Sequence, residues 1–266
     1  MRKVILSVND DPDYLYHVPL TLWAWRRIGW EPILFYHGRK TTLDRFCPKV
    51  DFKQVYTLDV PDYRADTITQ ISRLYAACIF NRGEYLMTSD IDMLPLSNYW
   101  QPARGIQVWG ADLTNYKHYP ICYIGMHSEN WAAVMNLRVD GRISSDYNAL
   151  IKRDLDAMPE AKSEDFEKRW YVDQGLITRR LKPFHPTIIN RGRYPNGLAR
   201  GRVDRGEWSL NHREFIDCHM HRRIHYNEYK YKFTETMDLL KKVWPDEDFT
   251  WFVEYHNEFR KITGQQ

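Results

Sequence analysis

The chain has 266 residues, a net charge of +3, a hydrophobic fraction of 43% and an aromatic fraction of 15%. These values support a packed core and exclude an intrinsically disordered protein, while the nearly balanced charge does not require a nucleic-acid or membrane partner. The four cysteines form no Cys-x-x-Cys pair, which argues against a zinc ribbon or a disulfide scaffold. Because the apolar run after Met1 is too short for a signal peptide and no run approaches a membrane span, we expect a cytoplasmic protein without a transmembrane segment.

The first 90 residues alternate between strand patterns and helix patterns. Pro19 marks the start of the first main helix, and Gly29 follows its end as a C-cap. This alternation predicts an α/β fold with a mostly parallel, twisted central sheet flanked by helices on both faces. The predicted strands span residues 3–8, 32–36, 54–58 and 85–88, and the predicted helices span residues 14–28, 41–46 and 66–80.

The rest of the chain has a looser pattern. The apolar segment 170–178 is interrupted by Asp173 and Gln174, so that Asp173 either caps a buried helix or points an acid into a cleft. Both interpretations remain open at the level of sequence. Further strands are predicted at residues 106–112 and 119–126, and further helices at residues 128–136, 147–158, 238–244 and 250–262.

Two acids, Asp90 and Asp92, directly follow the predicted buried strand at residues 85–88. Positions i and i+2 at the end of a strand point to the same side, so the two carboxylates can converge on one point. Converging carboxylates repel each other unless a cation lies between them, and hard oxygen ligands suit Mg²⁺ or Mn²⁺. Ligands of open α/β sheets bind at the carboxyl ends of strands. The pair therefore predicts a divalent-metal site that holds substrate phosphates, with a turn or helix cap as the alternative.

Asp-x-Asp occurs three more times, but in polar or helical surroundings that indicate no site: Asp11/Asp13, Asp154/Asp156 and Asp246/Asp248. Residues 190–206 form a predicted loop with five arginines and four glycines, which either wraps an anionic substrate or is simply solvated. Residues 215–223 indicate a strand end on which His219 and His221 share one face, and one of them could complete an oxygen-rich metal site. The chain contains neither a Gly-x-Gly-x-x-Gly fingerprint after the first strand nor a P-loop.

Four segments in this order resemble the GT-A-fold glycosyltransferases that use nucleotide sugars. The segments are Val8-Asn9-Asp10, Ile71-Ser72-Arg73-Leu74-Tyr75, Ser89-Asp90-Ile91-Asp92-Met93-Leu94-Pro95-Leu96, and Val172-Asp173-Gln174-Gly175-Leu176 with the later His219. The set covers roughly residues 1 to 225 and is most similar to the retaining group of glycogenin and bacterial lipooligosaccharide galactosyltransferases. Small glycosyltransferases of large algal viruses are also similar.

The resemblance implies a single GT-A-like domain over residues 1–266, with a Rossmann-like nucleotide-sugar-binding half at 1–96 and a mixed acceptor-binding half at 97–266. It implies that Mn²⁺ or Mg²⁺ is held against the donor diphosphate by Asp90, Asp92 and His219. The residues that it places against the nucleotide or its sugar are Val8, Asn9, Asp10, Asp66, Arg73 and Asp90, and those that it places beside the attacked carbon are Asp173 and Gln174.

The implied reaction moves a sugar from a nucleotide diphosphate sugar to a hydroxyl of a glycan acceptor. A UDP-sugar is the commonest donor with this motif set, whereas the transferred sugar, the stereochemistry and the oligomeric state stay open. We expect the loop 190–206 and the aromatic C-terminal third to help bind the acceptor.

The chain departs from the family pattern in two places. The His-x-x-Gly-x-x-Lys-Pro-Trp ending is missing after His219, so that Arg222, Arg223 or Lys230 could replace its phosphate-binding lysine. The Asn-Ser-Gly segment is absent as well, and Tyr123-Ile124-Gly125 is the nearest piece. Two other functions compete with the transferase: a phosphohydrolase or phosphotransferase with Asp90 as nucleophile, and a non-catalytic module that binds nucleotides or glycans.

Overall fold

The computed structural model describes residues 2–48, 55–57, 63–115, 117–137, 146–195 and 197–265, with the backbone alone for 55–57 and 146. The strands are β1 Arg2–Asn9, β2 Glu31–His37, β3 Val55–Thr57, β4 Tyr85–Thr88, β5 Met93–Pro95, β6 Gln107–Trp109, β7 Ile124–His127, β8 Thr187–Ile189, β9 Arg202–Asp204 and β10 Asp217–His219. The ends of the third predicted strand, Gln54 and Leu58, lie outside the described residues.

The α-helices are α1 Pro12–Leu15, α2 Val18–Arg27, α3 Lys40–Phe46, α4 Ala65–Ser72, α5 Ser128–Met135, α6 Asp146–Asp156, α7 Phe166–Trp170, α8 Val172–Leu181, α9 Lys230–Val243 and α10 Thr250–Ile262. Short 3-10 helices span Arg73–Ile79, Ala111–Thr114, Ile121–Tyr123, Pro159–Lys162, Lys182–Phe184 and Asn227–Tyr229. None of the helices in these ranges is long and apolar enough to cross a membrane.

The larger sheet contains seven of the described strands in the order β3-β2-β1-β4-β7-β6-β8. β7 pairs antiparallel with both of its neighbours, and all other pairs in this sheet are parallel. This arrangement confirms the prediction of an α/β fold with a mostly parallel central sheet. Strands from both halves of the sequence contribute to it, because β6, β7 and β8 continue the sheet that β1 to β4 begin.

The strand order reverses between β1 and β4, which lie side by side although two strands separate them in sequence. The strands that follow β1 in sequence, β2 and β3, lie on one side of this pair, and the strands of this sheet that follow β4 lie on the other side. This reversal opens a crevice outside the carboxyl ends of the two strands, where ligands bind in such folds. Asn9 ends β1 and Ser89 follows β4, so both borders of the crevice carry polar residues.

β1 is buried on both faces, as its continuous apolar sequence predicts for a central parallel strand. Val4 and Leu6 face a core that includes side chains of α2 and α10. Ile5 faces a second core that includes Ile68 and Ile71 of α4. The sheet is therefore covered by helices on both faces.

A smaller sheet with the order β5-β10-β9 packs next to the crevice. β10 runs antiparallel to β5, and backbone hydrogen bonds continue beyond the pair on both sides. The amide of Leu96 donates to the carbonyl of Ile216 at 2.8 Å, and the amide of Met220 donates to the carbonyl of Asp92 at 2.8 Å. This pairing brings a late segment of the chain directly against the residues that follow β4.

A buried ion cluster around Asp217 holds the smaller sheet to its surroundings. The Asp217 carboxylate is fully buried and accepts hydrogen bonds from both terminal nitrogens of Arg191, each at 2.6 Å. Arg202 donates to the same carboxylate at 2.8 and 3.1 Å, and the Tyr123 hydroxyl donates at 2.8 Å. Burial alone would raise the pKa of Asp217, but the two guanidinium groups outweigh it and lower the pKa well below its usual range.

Several element boundaries differ from those that the sequence predicts. The helix predicted at residues 66–80 is an α-helix only as far as Ser72 and continues as a 3-10 helix, because the same apolar stripe fits either winding. The loop predicted at residues 190–206 contains β9, and the helix predicted at residues 238–244 begins at Lys230. Gly29 has φ of +83° after α2, as its predicted C-cap role requires.

Candidate active site

A cleft of about 250 Å³ lies outside the carboxyl ends of β1 and β4, at the point where the strand order reverses. Its walls come from β1, α1, α4, the segment after β4, the α7–α8 region and the segments after β9 and β10. The lining residues are Ser7, Val8, Asn9, Tyr14, Asp66, Thr69, Gln70, Arg73, Asp90, Ile91, Asp92, Ile121, Trp170, Asp173, Gln174, Arg205, His219 and Arg222.

Arg73 joins two acids on one side of the cleft. It is the first residue after α4 and is buried, and its Nη1 donates to the Ser89 carbonyl at 2.9 Å and to Asp90 Oδ1. Its Nη2 donates to Asp173 Oδ2 at 3.2 Å. Burial alone would lower the pKa of Arg73, but the charges of Asp90 and Asp173 outweigh it and raise the pKa. The guanidinium thus stays charged and fixes the positions of both carboxylates.

Asp173 lies in the first turn of α8, and its side chain is almost completely buried. One carboxylate oxygen accepts from the backbone amide of Gln174 at 2.7 Å, and the other accepts from Arg73. Burial raises the pKa of Asp173, while the charge of Arg73 opposes this shift. Of the two interpretations left open by the sequence, the structure supports the acid at the cleft: Asp173 lines the cleft, whereas the N-cap position of α8 is Tyr171 and has no side-chain capping bond.

Asp92 is surrounded by cationic side chains on the other side of the cleft. Its Oδ2 lies 3.2 Å from Arg205 Nη1, 3.6 Å from His219 Nε2 and 4.0 Å from Arg222 Nε. Burial alone would raise the pKa of Asp92, but the hydrogen bond and charge of His219 and the charge of Arg205 hold the pKa well below its usual range. Asp92 is therefore ionised at neutral pH.

His219 bridges two carboxylates at the end of β10. Its Nε2 faces Asp92, and its Nδ1 lies 3.6 Å from Asp204 Oδ2 on the neighbouring strand β9. Burial alone would lower the pKa of His219, whereas Asp204 and Asp92 raise it above its usual value. His221, which the sequence places on the same face, packs instead against the ring of Tyr229 and does not line the cleft.

Arg222 lies between two aromatic rings of the cleft lining. The centre of its guanidinium is 5.2 Å from the ring centroid of Tyr14 on α1 and 5.0 Å from that of Trp170 on α7. Such cation–π contacts hold a guanidinium in place without using its N–H groups. The buried Nε of Arg222 has no hydrogen-bond partner, and Asp92 is 4.0 Å away.

Most of the site residues that the sequence predicts meet in this cleft. Val8, Asn9, Asp66, Arg73, Asp90, Asp92, Asp173, Gln174 and His219 all line it. Asp10 does not: its carboxylate turns towards β2, where it accepts a hydrogen bond from the Tyr36 hydroxyl and one from the amide of Arg39 at 3.3 Å. Asp10 lies just beyond the end of β1, and these two contacts hold its carboxylate away from the cleft.

The sequence analysis did not predict that Tyr14 and Trp170 line the cleft, and it did not single out Arg205 of the arginine-rich loop. Of the arginines in this loop, Arg191 and Arg202 are bound to Asp217, while Arg205 alone among the five lines the cleft. No local signal distinguishes Arg205, since its partner Asp92 is 113 residues away. Arg222 was one of three candidates for a phosphate-binding cation; of these, Arg223 pairs with Asp13 instead.

The aromatic residues of the two C-terminal helices do not line this cleft, so their expected part in acceptor binding stays a prediction. The cleft lining contains no described residue after Arg222. Rings of α10 pack around Tyr16, with Phe252 at 6.0 Å and Phe259 at 5.2 Å between centroids, and Phe233 of α9 packs against Phe252 at 5.6 Å. These aromatic residues build the core because the amphipathic faces of the two helices are turned towards it.

The donor atoms at the cleft suit a divalent cation, although they are not arranged around one point. Two carboxylates and an imidazole are ligands that Mn²⁺ accepts and that Mg²⁺ accepts in part. Asp92 and His219 are already neighbours at 3.6 Å, whereas Asp90 is turned towards Arg73. Across the described ranges, no three His, Cys, Asp or Glu side chains are grouped closely enough to hold a metal ion.

Comparison of the sequence with known protein families and with curated proteins finds no match in either case.

Proposed function

We propose that this protein is a glycosyltransferase that moves a sugar from a nucleotide diphosphate sugar, with UDP as the expected nucleotide, to a hydroxyl of a glycan. The observation that carries the proposal is the gathering of Arg73, Arg205 and Arg222 around Asp90 and Asp92 at the crevice between β1 and β4. Such a crevice suits a nucleotide, and the surrounding cations suit its phosphates. The GT-A-like family resemblance of the same segments supports the same conclusion.

The main chemical requirement of this reaction is to stabilise the negative charge that develops on the leaving diphosphate. The acceptor oxygen forms a bond to the anomeric carbon, the bond from that carbon to the diphosphate oxygen breaks, and its electron pair leaves with the diphosphate. Fixed cations that face the leaving oxygens stabilise the charge that develops there. Arg222 is suited to this task because Tyr14 and Trp170 hold its guanidinium at the cleft lining and about a third of its side chain is exposed.

Asp90, Asp92 and His219 would hold the divalent cation that the motif implies. When bound, Mn²⁺ or Mg²⁺ supplies further positive charge to the leaving diphosphate. The charge of Arg205 favours the ionised carboxylate of Asp92, which is the state that binds metal, and His219 would bind the metal in its neutral form. Arg73 holds Asp90 at the end of β4 through a buried contact.

Asp173 and Gln174 lie at the reacting end of the cleft in this proposal. An inverting reaction uses the Asp173 carboxylate to take the proton of the acceptor hydroxyl, and its burial raises the pKa and makes it a stronger base. A retaining reaction instead has Gln174 or Asp173 beside the β face of the donor sugar. In both cases Arg73 keeps the Asp173 carboxylate oriented.

The first test is a thermal-shift series with UDP, GDP, CMP and their sugars, each with Mn²⁺ and with EDTA. A ligand that binds only the folded state raises the melting temperature by mass action, by roughly 2.7 kcal/mol of stability at 100 times its Kd. We expect a Mn²⁺-dependent shift with one nucleotide class, followed by release of that nucleoside diphosphate from its sugar.

Asp92→Asn should abolish both the shift and the release, because the amide keeps the shape of the side chain and removes its charge. Asp156→Ala is the matched control: Asp156 belongs to another Asp-x-Asp pair, on α6, and does not line the cleft. Phosphate release from simple phosphoesters would favour the phosphohydrolase, and a shift without sugar turnover would favour a binding module. No shift with any nucleotide would contradict the proposed donor.

A further inference from the structure

Two large aromatic side chains are unusually exposed beside the cleft. Phe166 begins α7, Tyr171 precedes α8, and each is 51% exposed. Exposed aromatic side chains that adjoin a pocket mark binding surfaces more often than isolated ones do. Both lie within six residues of each other, on the segment that carries Trp170 of the cleft lining.

These residues form an aromatic rim, which consists of Phe166, Trp170, Tyr171 and His118. The ring centroids of Phe166 and Trp170 are 5.1 Å apart, and those of Tyr171 and His118 are 5.2 Å apart. The loop that carries His118 is fixed to α8, because the amide of Tyr119 donates to the Thr178 hydroxyl at 2.8 Å. The exposed ring of Tyr171 is therefore supported from the side by a positioned neighbour.

The aromatic rim lies next to the part of the cleft that Asp173 and Gln174 line. Asp173 and Gln174 follow Tyr171 closely on α8, and the segment after His118 reaches the lining through Ile121. The residues expected to meet the nucleotide, Val8 and Asn9, come from β1 in the other wall. Tyr171 does not line the cleft itself, but it lies in the chain between the lining residues Trp170 and Asp173, and its ring is exposed.

We propose that Tyr171 positions the saccharide acceptor: one ring of the acceptor stacks on the exposed face of Tyr171 while its hydroxyl reaches Asp173 and Gln174. A pyranose combines an apolar C–H face with a polar edge, which matches an aromatic ring flanked by the polar His118 and Gln174. This inference rests on the proposed glycosyltransferase function and assigns to the same site a residue that binds the glycan acceptor.

The test compares transfer and donor hydrolysis in the same protein. The acceptor probes are the methyl glycosides of galactose, glucose and xylose together with lactose, and the donor is the nucleotide sugar that gives the thermal shift. Tyr171→Ala should raise the KM for the acceptor probe about tenfold and leave the donor KM in the hydrolysis reaction within twofold. Tyr171→Phe should stay within twofold of the unaltered protein for both substrates, because stacking needs the ring and not the hydroxyl.

Tyr231→Ala is the matched control, since Tyr231 has the same residue type and the same 51% exposure but lies on α9 away from the cleft lining. It should change neither KM. An increase in the donor KM for Tyr171→Ala would show that the ring contacts the nucleotide, and an unchanged acceptor KM would show that it has no role; either result overturns the inference. Donor hydrolysis without transfer to any probe would exclude a simple saccharide acceptor but keep the transferase site. Absence of any donor turnover by the unaltered protein would refute the proposed function itself.

Discussion

Replacement of Arg73 by methionine tests whether one buried guanidinium holds the two acids of the cleft together. Arg73 is buried, bonds Asp90 and Asp173, and also donates to the Ser89 carbonyl. Removing one partner from a buried ion pair costs about 3–5 kcal/mol, because the charges that remain are desolvated and unpaired. Since a third of the Asp90 side chain is exposed, we expect a loss near the lower value, about 3 kcal/mol.

The loss of stability in Arg73→Met should be larger at high pH than at low pH. Burial already raises the pKa of Asp173, and the loss of the guanidinium would raise it further. Between the unfolded-state pKa and this higher folded-state pKa, the folded variant binds more protons than the unfolded chain, so its stability falls as pH rises. Arg73→Met should therefore be more strongly destabilised relative to the unaltered protein at pH 8 than at pH 5.

Urea unfolding followed by tryptophan fluorescence measures this difference. With a slope of roughly 2–3 kcal/mol per molar urea, a loss of about 3 kcal/mol moves the midpoint down by about 1–1.5 M at pH 8. Arg27→Met is the control, because Arg27 pairs with Glu247 at 2.6 Å but is half exposed, and exposed pairs contribute at most about 1 kcal/mol. A shift for Arg73→Met no larger than that control, or one that is equal at both pH values, would refute the buried-bridge explanation.

Three further predictions concern the rest of the chain. Burial lowers the pKa of His17 to about 3 and that of His225 to about 4. Between these values and about 6.5, the unfolded chain binds more protons than the folded protein, so the free energy of unfolding should fall as pH drops from 7 to 5. His17→Gln should weaken this pH dependence in urea titrations. Asp217→Asn should cost about 3–5 kcal/mol in urea unfolding, because it leaves two buried guanidinium groups without a counter-ion; a loss below about 1 kcal/mol would contradict this. Gly125→Ala should cost about 1–3 kcal/mol by calorimetry, because its Cβ would come within 2.4 Å of the Tyr85 hydroxyl; an unchanged melting temperature would show that Tyr85 moves freely.

The sequence predicted the parts of this fold that depend on neighbouring residues. The strand before Asp90 was predicted with the bounds that the structure has, and α10 likewise, because an apolar run and an amphipathic stripe are local patterns. The direction of β7 could not be predicted, since nothing in a short apolar strand distinguishes parallel from antiparallel pairing. The same holds for β9, which is too short to show a pattern within the arginine-rich loop.

The same difference between local and long-range signals decides which residues of the candidate site could be predicted. Asp90, Asp92 and Asp173 were predicted because each stands out as an acid in an apolar segment. Arg205 and Trp170 were not, because a surface arginine and a tryptophan have many ordinary roles, and only the folded chain brings them to the cleft. Asp10 was wrongly assigned to the cleft because its contact with the Tyr36 hydroxyl joins residues 26 positions apart and leaves no local signal in the sequence.

Because β10 pairs with β5, the walls of the cleft come from segments that are synthesised at different times. Val8 and Asp92 leave the ribosome early, whereas His219 and Arg222 follow more than a hundred residues later, and the cleft has walls from both groups. A nascent chain can form β1, β2 and β4 as a sheet long before β10 emerges, but Asp92 then lacks its cationic neighbours. Contacts of such long sequence separation form late because loop closure must come first. The cleft would therefore become able to bind an anionic ligand only after β10 and Arg222 have left the ribosome, so ligand binding would report that the smaller sheet has assembled.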